Sequence, residues 1–161
     1  MARMPLKKRL ATIAATAAVT AGAAGSAGAQ VINFPGVVIP VCVLVPTAGV
    51  LAISASGTVL GSEETGGAAA ALTVTSTGGA ATVSFTAPTL AAKPAGYAGS
   101  PTVSLKYSSG GGAAQAYTSS SSQYTSTNAL SDVVTLNAKA ADSNGFVAGT
   151  YRVATTATCS Q

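Results

Sequence analysis

The chain has 161 residues, 48% of them hydrophobic and only 7% charged, and its 8 Lys+Arg against 4 Asp+Glu give a formal net charge of +4. It contains no histidine, which excludes histidine-based catalytic triads and most zinc sites. A basic excess ordinarily suggests an anionic partner such as nucleic acid or a membrane surface, so the position of those charges decides their meaning.

They lie at the start. Arg3, Lys7, Lys8 and Arg9 precede an Ala-rich run from Leu10 to about Thr20 and a small-residue site at Ala27-Gly28-Ala29, the three parts of a secretory signal. As a membrane span the run is too short, because Gly22, Gly25 and Ser26 interrupt it well below the ~20 apolar residues that cross a bilayer. Residues 1–29 are therefore expected to be a cleaved signal peptide, and 30–161 a single domain that is secreted, at the cell surface or in the periplasm. Past residue 29, Lys93, Lys106, Lys139 and Arg152 balance Glu63, Glu64, Asp132 and Asp142. The expected mature chain is neutral, with no nucleic-acid partner and no membrane insertion after signal cleavage. Ile39-Pro40-Val41 before Cys42 lacks the Leu-small-small pattern of lipoprotein processing.

The next stretch, QVINFPGVVIPVCVLV from Gln30 to Val45, is the most hydrophobic of the mature region, whereas chain ends are ordinarily polar and loose. It fits a first strand covered on both faces, with Pro40 confining it to an edge or a bulge. It also fits an extension, with Val31, Ile32, Phe34 and Val37 as contact residues, that adds to the sheet edge of a neighbouring subunit.

From there the chain alternates with period two, the spacing of strands with one wet face. Leu72 and Val74 share a side, as do Val83 and Phe85; Val103, Leu105 and Tyr107; Val134, Leu136 and Ala138; and, in the closing TYRVATTATC, Tyr151 and Val153. Ser56-Gly57, Gly78-Gly79 and Asn144-Gly145 predict hairpins. Gly110-Gly111-Gly112 predicts the opening of a Ser/Thr-rich loop over YTSSSSQYTSTN, residues 117–128. No run shows helical spacing over ten residues, so the pattern outranks the alanine content. The expected fold class is all-β: an immunoglobulin-like two-sheet sandwich of about seven or eight antiparallel strands.

Two cysteines in an exported chain predict a disulfide, Cys42 with Cys159, placed where the first and last strands of a sandwich lie close together. The core has to be built mainly from Val, Leu, Ile and Ala, since the chain has no Trp and only three Phe. Such small side chains bury little area each, so a covalent tie between the ends contributes substantially.

No motif carries catalysis. Glu63 and Glu64 are adjacent and point oppositely on an extended backbone, which does not suit a glycosidase pair. Ser104 and Lys106 share the expected wet face, where a lysine is not desolvated into a base. Asp142-Ser143-Asn144-Gly145 resembles the start of a calcium loop, but Val153 stands where the closing carboxylate belongs, and turn chemistry explains the same residues. The glycine run lacks the Lys-Ser/Thr of a phosphate loop. Tyr97, Tyr117 and Tyr124 fall in expected loops, where they anchor the loop to the domain or, less often, stack on a partner. No enzyme activity, cofactor or metal is expected.

An Ala-rich signal, a small Thr/Ser/Val/Ala-rich β-domain, one disulfide and the ending AGTYRVATTATC, with Gly149-Thr150-Tyr151 as its local motif, resemble the fimbrial pilins and spore-coat-U-like secreted proteins of bacterial surfaces. That resemblance implies subunits that assemble by donating an N-terminal strand, so the partner would be the chain itself or other surface subunits. The cysteines depart from the pilin pattern by bracketing the chain, and a final strand tied to the first suggests a self-sufficient domain without a groove to fill. The leading expectation is an exported, non-enzymatic structural or adhesive component acting through protein contacts. The second is a monomeric secreted binding module for a glycan or envelope protein, with the tyrosine-bearing loops as its surface.

Overall fold

A computed structural model describes residues 33–126 and 131–161. The leader over 1–29, together with Val31 and Ile32, lies outside the described residues. Those described contain strands and no helix, which agrees with the all-β expectation. Residues Gly36–Gln161 form one compact unit. Of the segment before it, Asn33, Phe34 and Pro35 are described and carry no regular structure.

The largest sheet is built around β10 (Ser131–Ala141). Its first half pairs with β4 (Ala70–Thr77), which continues to β1 (Val41–Thr47); its second half pairs with β3 (Val59–Gly61), which continues to β2 (Ala52–Ile53). Along its other side β10 pairs with β7 (Thr102–Ser109), and β7 with β8 (Ala114–Thr118), giving seven antiparallel strands. A three-stranded sheet holds β12 (Ala157–Ser160), β5 (Thr82–Phe85) and β9 (Ser122–Thr125) in that order, and a two-stranded sheet pairs β11 (Arg152–Ala154) with β6 (Thr89–Ala92).

The alternation placed most of the inward side chains correctly; Tyr124, in β9, is the exception, having been expected in a loop. Leu72, Val74, Val83, Phe85, Leu105, Tyr107, Tyr124 and Val134 form one buried cluster, which joins the seven-stranded sheet to the three-stranded one. Leu60, Val103 and Ala140 form a second, with Leu90, Phe146, Tyr151 and Val153 packed against it. In the first cluster the Phe85 and Tyr107 rings lie 5.1 Å apart and the Tyr107 and Tyr124 rings 5.5 Å apart, within the range where tilted aromatic pairs attract.

Several expectations are corrected. Among the described residues twelve strands replace seven or eight, because β2, β3, β6, β8 and β9 are two to five residues long and too short to show a period. The Ser56-Gly57 hairpin is present between β2 and β3, with Gly57 at φ 72° and its N–H bonded to the Ser54 carbonyl. Gly78-Gly79 instead carries the chain from one sheet to another, since β4 and β5 pair in different sheets. Asn144-Gly145 is a turn but not a hairpin, because β10 and β11 also part company. The glycine run at 110–112 closes a β7–β8 hairpin, and the expected loop at 117–128 contains the end of β8 and all of β9.

The closing strand is split into β11 and β12 opposite a break between β5 and β6. Pro88 sits in that break without an N–H to give; one backbone bond remains there, Thr86 N to the Thr156 carbonyl at 3.0 Å, and hydroxyls supplement it. Thr156 N donates to Thr86 Oγ1 at 3.0 Å, and Thr155 Oγ1 donates to the Thr86 carbonyl at 2.7 Å. Residues 37–40 are not strand, and β1 is covered on one face only, with Val41, Val43 and Val45 half exposed.

Candidate partner-binding cleft

β1 and β12 are end strands of two different sheets. The Cys42–Cys159 disulfide joins them, with Cα atoms 6.1 Å apart and 117 residues between the two positions. The expected pairing is therefore present. The first and last strands lie side by side there as expected, and the bond ties one sheet to another.

Between those edges lies a cleft of about 570 Å³. One wall is the chain after Cys42, residues 46–51, and the other is residues 152–155 with Ala157. Its floor reaches the core side chains Leu72, Phe85, Leu105 and Leu136. Arg152 is the one charged residue of the lining. The first wall is held against residues 68–70 by paired backbone bonds between Val50 and Ala68 of 2.8 and 2.9 Å. Gly49 is required there, because a Cβ would stand 2.7 Å from the Ala68 carbonyl oxygen and the Ala70 nitrogen. A clasp between the chain's two ends thus coexists with an open, largely apolar slot.

Apolar side chains without a covering lie just upstream. Phe34 is 91% exposed and Val37 90%, and Val38 and Ile39 are also exposed. Pro40 packs against Gly78, and the Ile39 carbonyl accepts a bond from Thr77 Oγ1 at 3.1 Å. The segment is therefore anchored at its C-terminal end, where it enters β1.

The tyrosines singled out from sequence are placed differently. Tyr97, 4% exposed, and Tyr124, 8% exposed, lie inside the fold. Tyr117 is half buried in β8, its hydroxyl donating to Glu63 Oε2 at 2.8 Å and its ring 4.5 Å from Lys139 Nζ. These rings anchor their segments, which is the commoner use of a tyrosine at a loop.

The remaining chemical candidates are occupied by structure. Lys106 Nζ donates to Glu63 Oε1 at 2.5 Å, and the Lys106 and Tyr117 donors hold the Glu63 carboxyl below the usual range. Ser104 is buried rather than wet. Asp132, also buried, accepts bonds from Gly111 N and Ser126 Oγ. Among the described residues no group of three Cys, Asp or Glu is placed to hold a metal ion.

Asp142 accepts from Asn144 N at 2.9 Å and from the Tyr97 hydroxyl, the turn arrangement rather than a calcium loop. Gly99 must stay small beside that pair, since a Cβ would collide with Asp142 Oδ2 and Tyr97. The Tyr97 hydroxyl, followed by the Asn144 N–H, holds the Asp142 carboxyl below its ordinary value of 3.8. Its contribution to stability is thus complete above that value and lost as pH falls through and below it. Tyr97→Phe is expected to lower the thermal midpoint at neutral pH and to flatten the acid limb. Melting curves from neutral pH to about pH 2.5 check this, and an unchanged acid limb would contradict it.

Compared with known proteins, no family model matches the chain, and no curated protein and no solved structure matches it either.

Proposed function

We propose that the chain is an exported, non-enzymatic structural or adhesive subunit of a bacterial surface, in which the N-terminal segment of one copy enters the cleft of another. In this reading residues 1–29 are a cleaved signal, and the protein is an immunoglobulin-like sandwich with the two smaller sheets as its second layer. The cleft is the place where that layer lacks an edge strand. The disulfide is compatible with a location outside the cytoplasm.

The observation that carries the reading is the match between an apolar slot open to the core and an uncovered apolar segment. Phe34–Ile39 spans six residues, about 20 Å when extended, and the wall from Arg152 to Ala157 is also six residues long. Full burial of a large apolar side chain is worth about 1.5–3 kcal/mol. On an extended strand Phe34 and Val38 face one side and Val37 and Ile39 the other, and the pair that enters the slot offsets part of the 4–15 kcal/mol cost of association. Main-chain bonds to the free edge supply more, and Pro35 and Pro40, which lack N–H groups, set the ends of such a ladder. The packing of Tyr97 and Tyr124 inside the fold favours this reading over a monomeric binding module displaying tyrosine loops.

Deleting residues 30–39, or introducing Val37→Asp with Ile39→Asp, is expected to convert the exported protein from oligomers to monomers in light scattering. An unchanged particle mass in both variants would remove the reading.

A further inference from the structure

The cleft has one fixed end. Cys42 lies four residues before the wall that begins at Pro46, and Cys159 two residues beyond Ala157 on the opposite wall. Among the described residues no strand pairing joins these walls, since β1 bonds to β4 and β12 to β5. At the disulfide the two backbones stand 6.1 Å apart, too close to admit a third strand, which needs neighbours roughly 9–10 Å from each other. The edges must diverge from that point to make the slot.

We infer that the Cys42–Cys159 disulfide is a redox clasp that sets the width of the cleft, so that the oxidised chain receives a strand and the reduced chain does not. This rests on the reading of the cleft as a strand-receiving site. Reduction by a dithiol proceeds by exchange: a donor thiolate attacks one sulfur, the other cysteine leaves as thiolate, and the donor's second thiol resolves the mixed disulfide. The products are two cysteine thiols and one oxidised donor, and exchange with an oxidising disulfide reverses the step. Both sulfurs are only partly buried. After reduction β1 keeps its seven-residue register on β4 and β12 its four-residue register on β5. The fold therefore persists while the walls are free to separate, and a donated strand loses simultaneous contact with both.

The test compares the exported full chain when oxidised, when reduced by dithiothreitol and alkylated, and as Cys42→Ser with Cys159→Ser. Light scattering reads assembly, and circular dichroism reads the fold. The expected result is a fall of at least about ten-fold in the assembled fraction without the disulfide while the β-spectrum is retained. Equal assembly with and without the disulfide overturns the clasp and leaves the strand-receiving reading standing. No assembly even when oxidised overturns both. Should the serine variant unfold, hydrogen exchange on briefly reduced wild-type chain decides. Faster exchange confined to residues 46–51 and 152–157, with β10 unchanged, supports the clasp, and a uniform rise across the sheets overturns it.

Discussion

Replacing Cys42 and Cys159 together by alanine is expected to lower the free energy of unfolding by about 2–5 kcal/mol. The bond closes a loop of 117 residues, for which the chain-entropy relation gives about 4.9 kcal/mol of lost unfolded-state freedom. A domain of this size has about 5–15 kcal/mol in all, so the tie carries a large share. The share is large because the core is made of small side chains: Val74, Val83, Val134, Ala81 and Ala140 are fully or nearly buried, and Phe85 is the one phenylalanine in the main cluster. Urea titration of the oxidised and cysteine-free chains measures the difference. A change below about 1 kcal/mol would show that the unfolded chain was already constrained without the bond.

Phe85→Ala is expected to cost about 3–5 kcal/mol. Phe85 is buried within the main cluster, its ring 5.1 Å from Tyr107 and 6.5 Å from Tyr124. Truncation removes these contacts and leaves a void that the sheets, held by their ladders, do not close. Phe85 also contributes to the floor of the cleft, so the void opens toward solvent. The same variant is therefore expected to weaken assembly as well as fold. Thermal or urea unfolding checks the first effect, and a loss under about 1 kcal/mol would mean that Phe85 is not the centre of the core.

Much of the inward-facing set was legible in the sequence because period two specifies which side chains face in. Leu72, Val74, Val83, Phe85, Val103, Leu105, Tyr107 and Val134 were all recovered this way. The same period does not say which sheet a strand joins. Gly78-Gly79 signals a turn equally well whether β5 returns beside β4 or crosses to another sheet, and the outcome depends on packing across the core. β8 and β9 escaped notice because AQAYT and SQYT are short and, apart from one Tyr each, built from Ser, Thr, Gln and Ala. Their strand state comes from pairing with β7 and β5 rather than from propensity.

The disulfide was readable from the cysteine count and the expectation of export, whereas the cleft was not. Its walls at residues 46–51 and 152–157 carry no chemistry-bearing residue apart from Arg152. It lies between stretches that belong to different sheets, which is a property of three-dimensional sheet geometry. The signal that did exist was Phe34 to Ile39, a hydrophobic run just ahead of the first strand with no partner in its own sequence pattern.

The most direct measurement places a photoreactive amino acid at Val38 in the oxidised chain and maps its cross-links by mass spectrometry, with isotope-labelled and unlabelled copies mixed. The account predicts cross-links from Val38 of one copy to residues 46–51 or 152–157 of another. Cross-links confined to the same copy, or to surfaces away from the cleft, would contradict it.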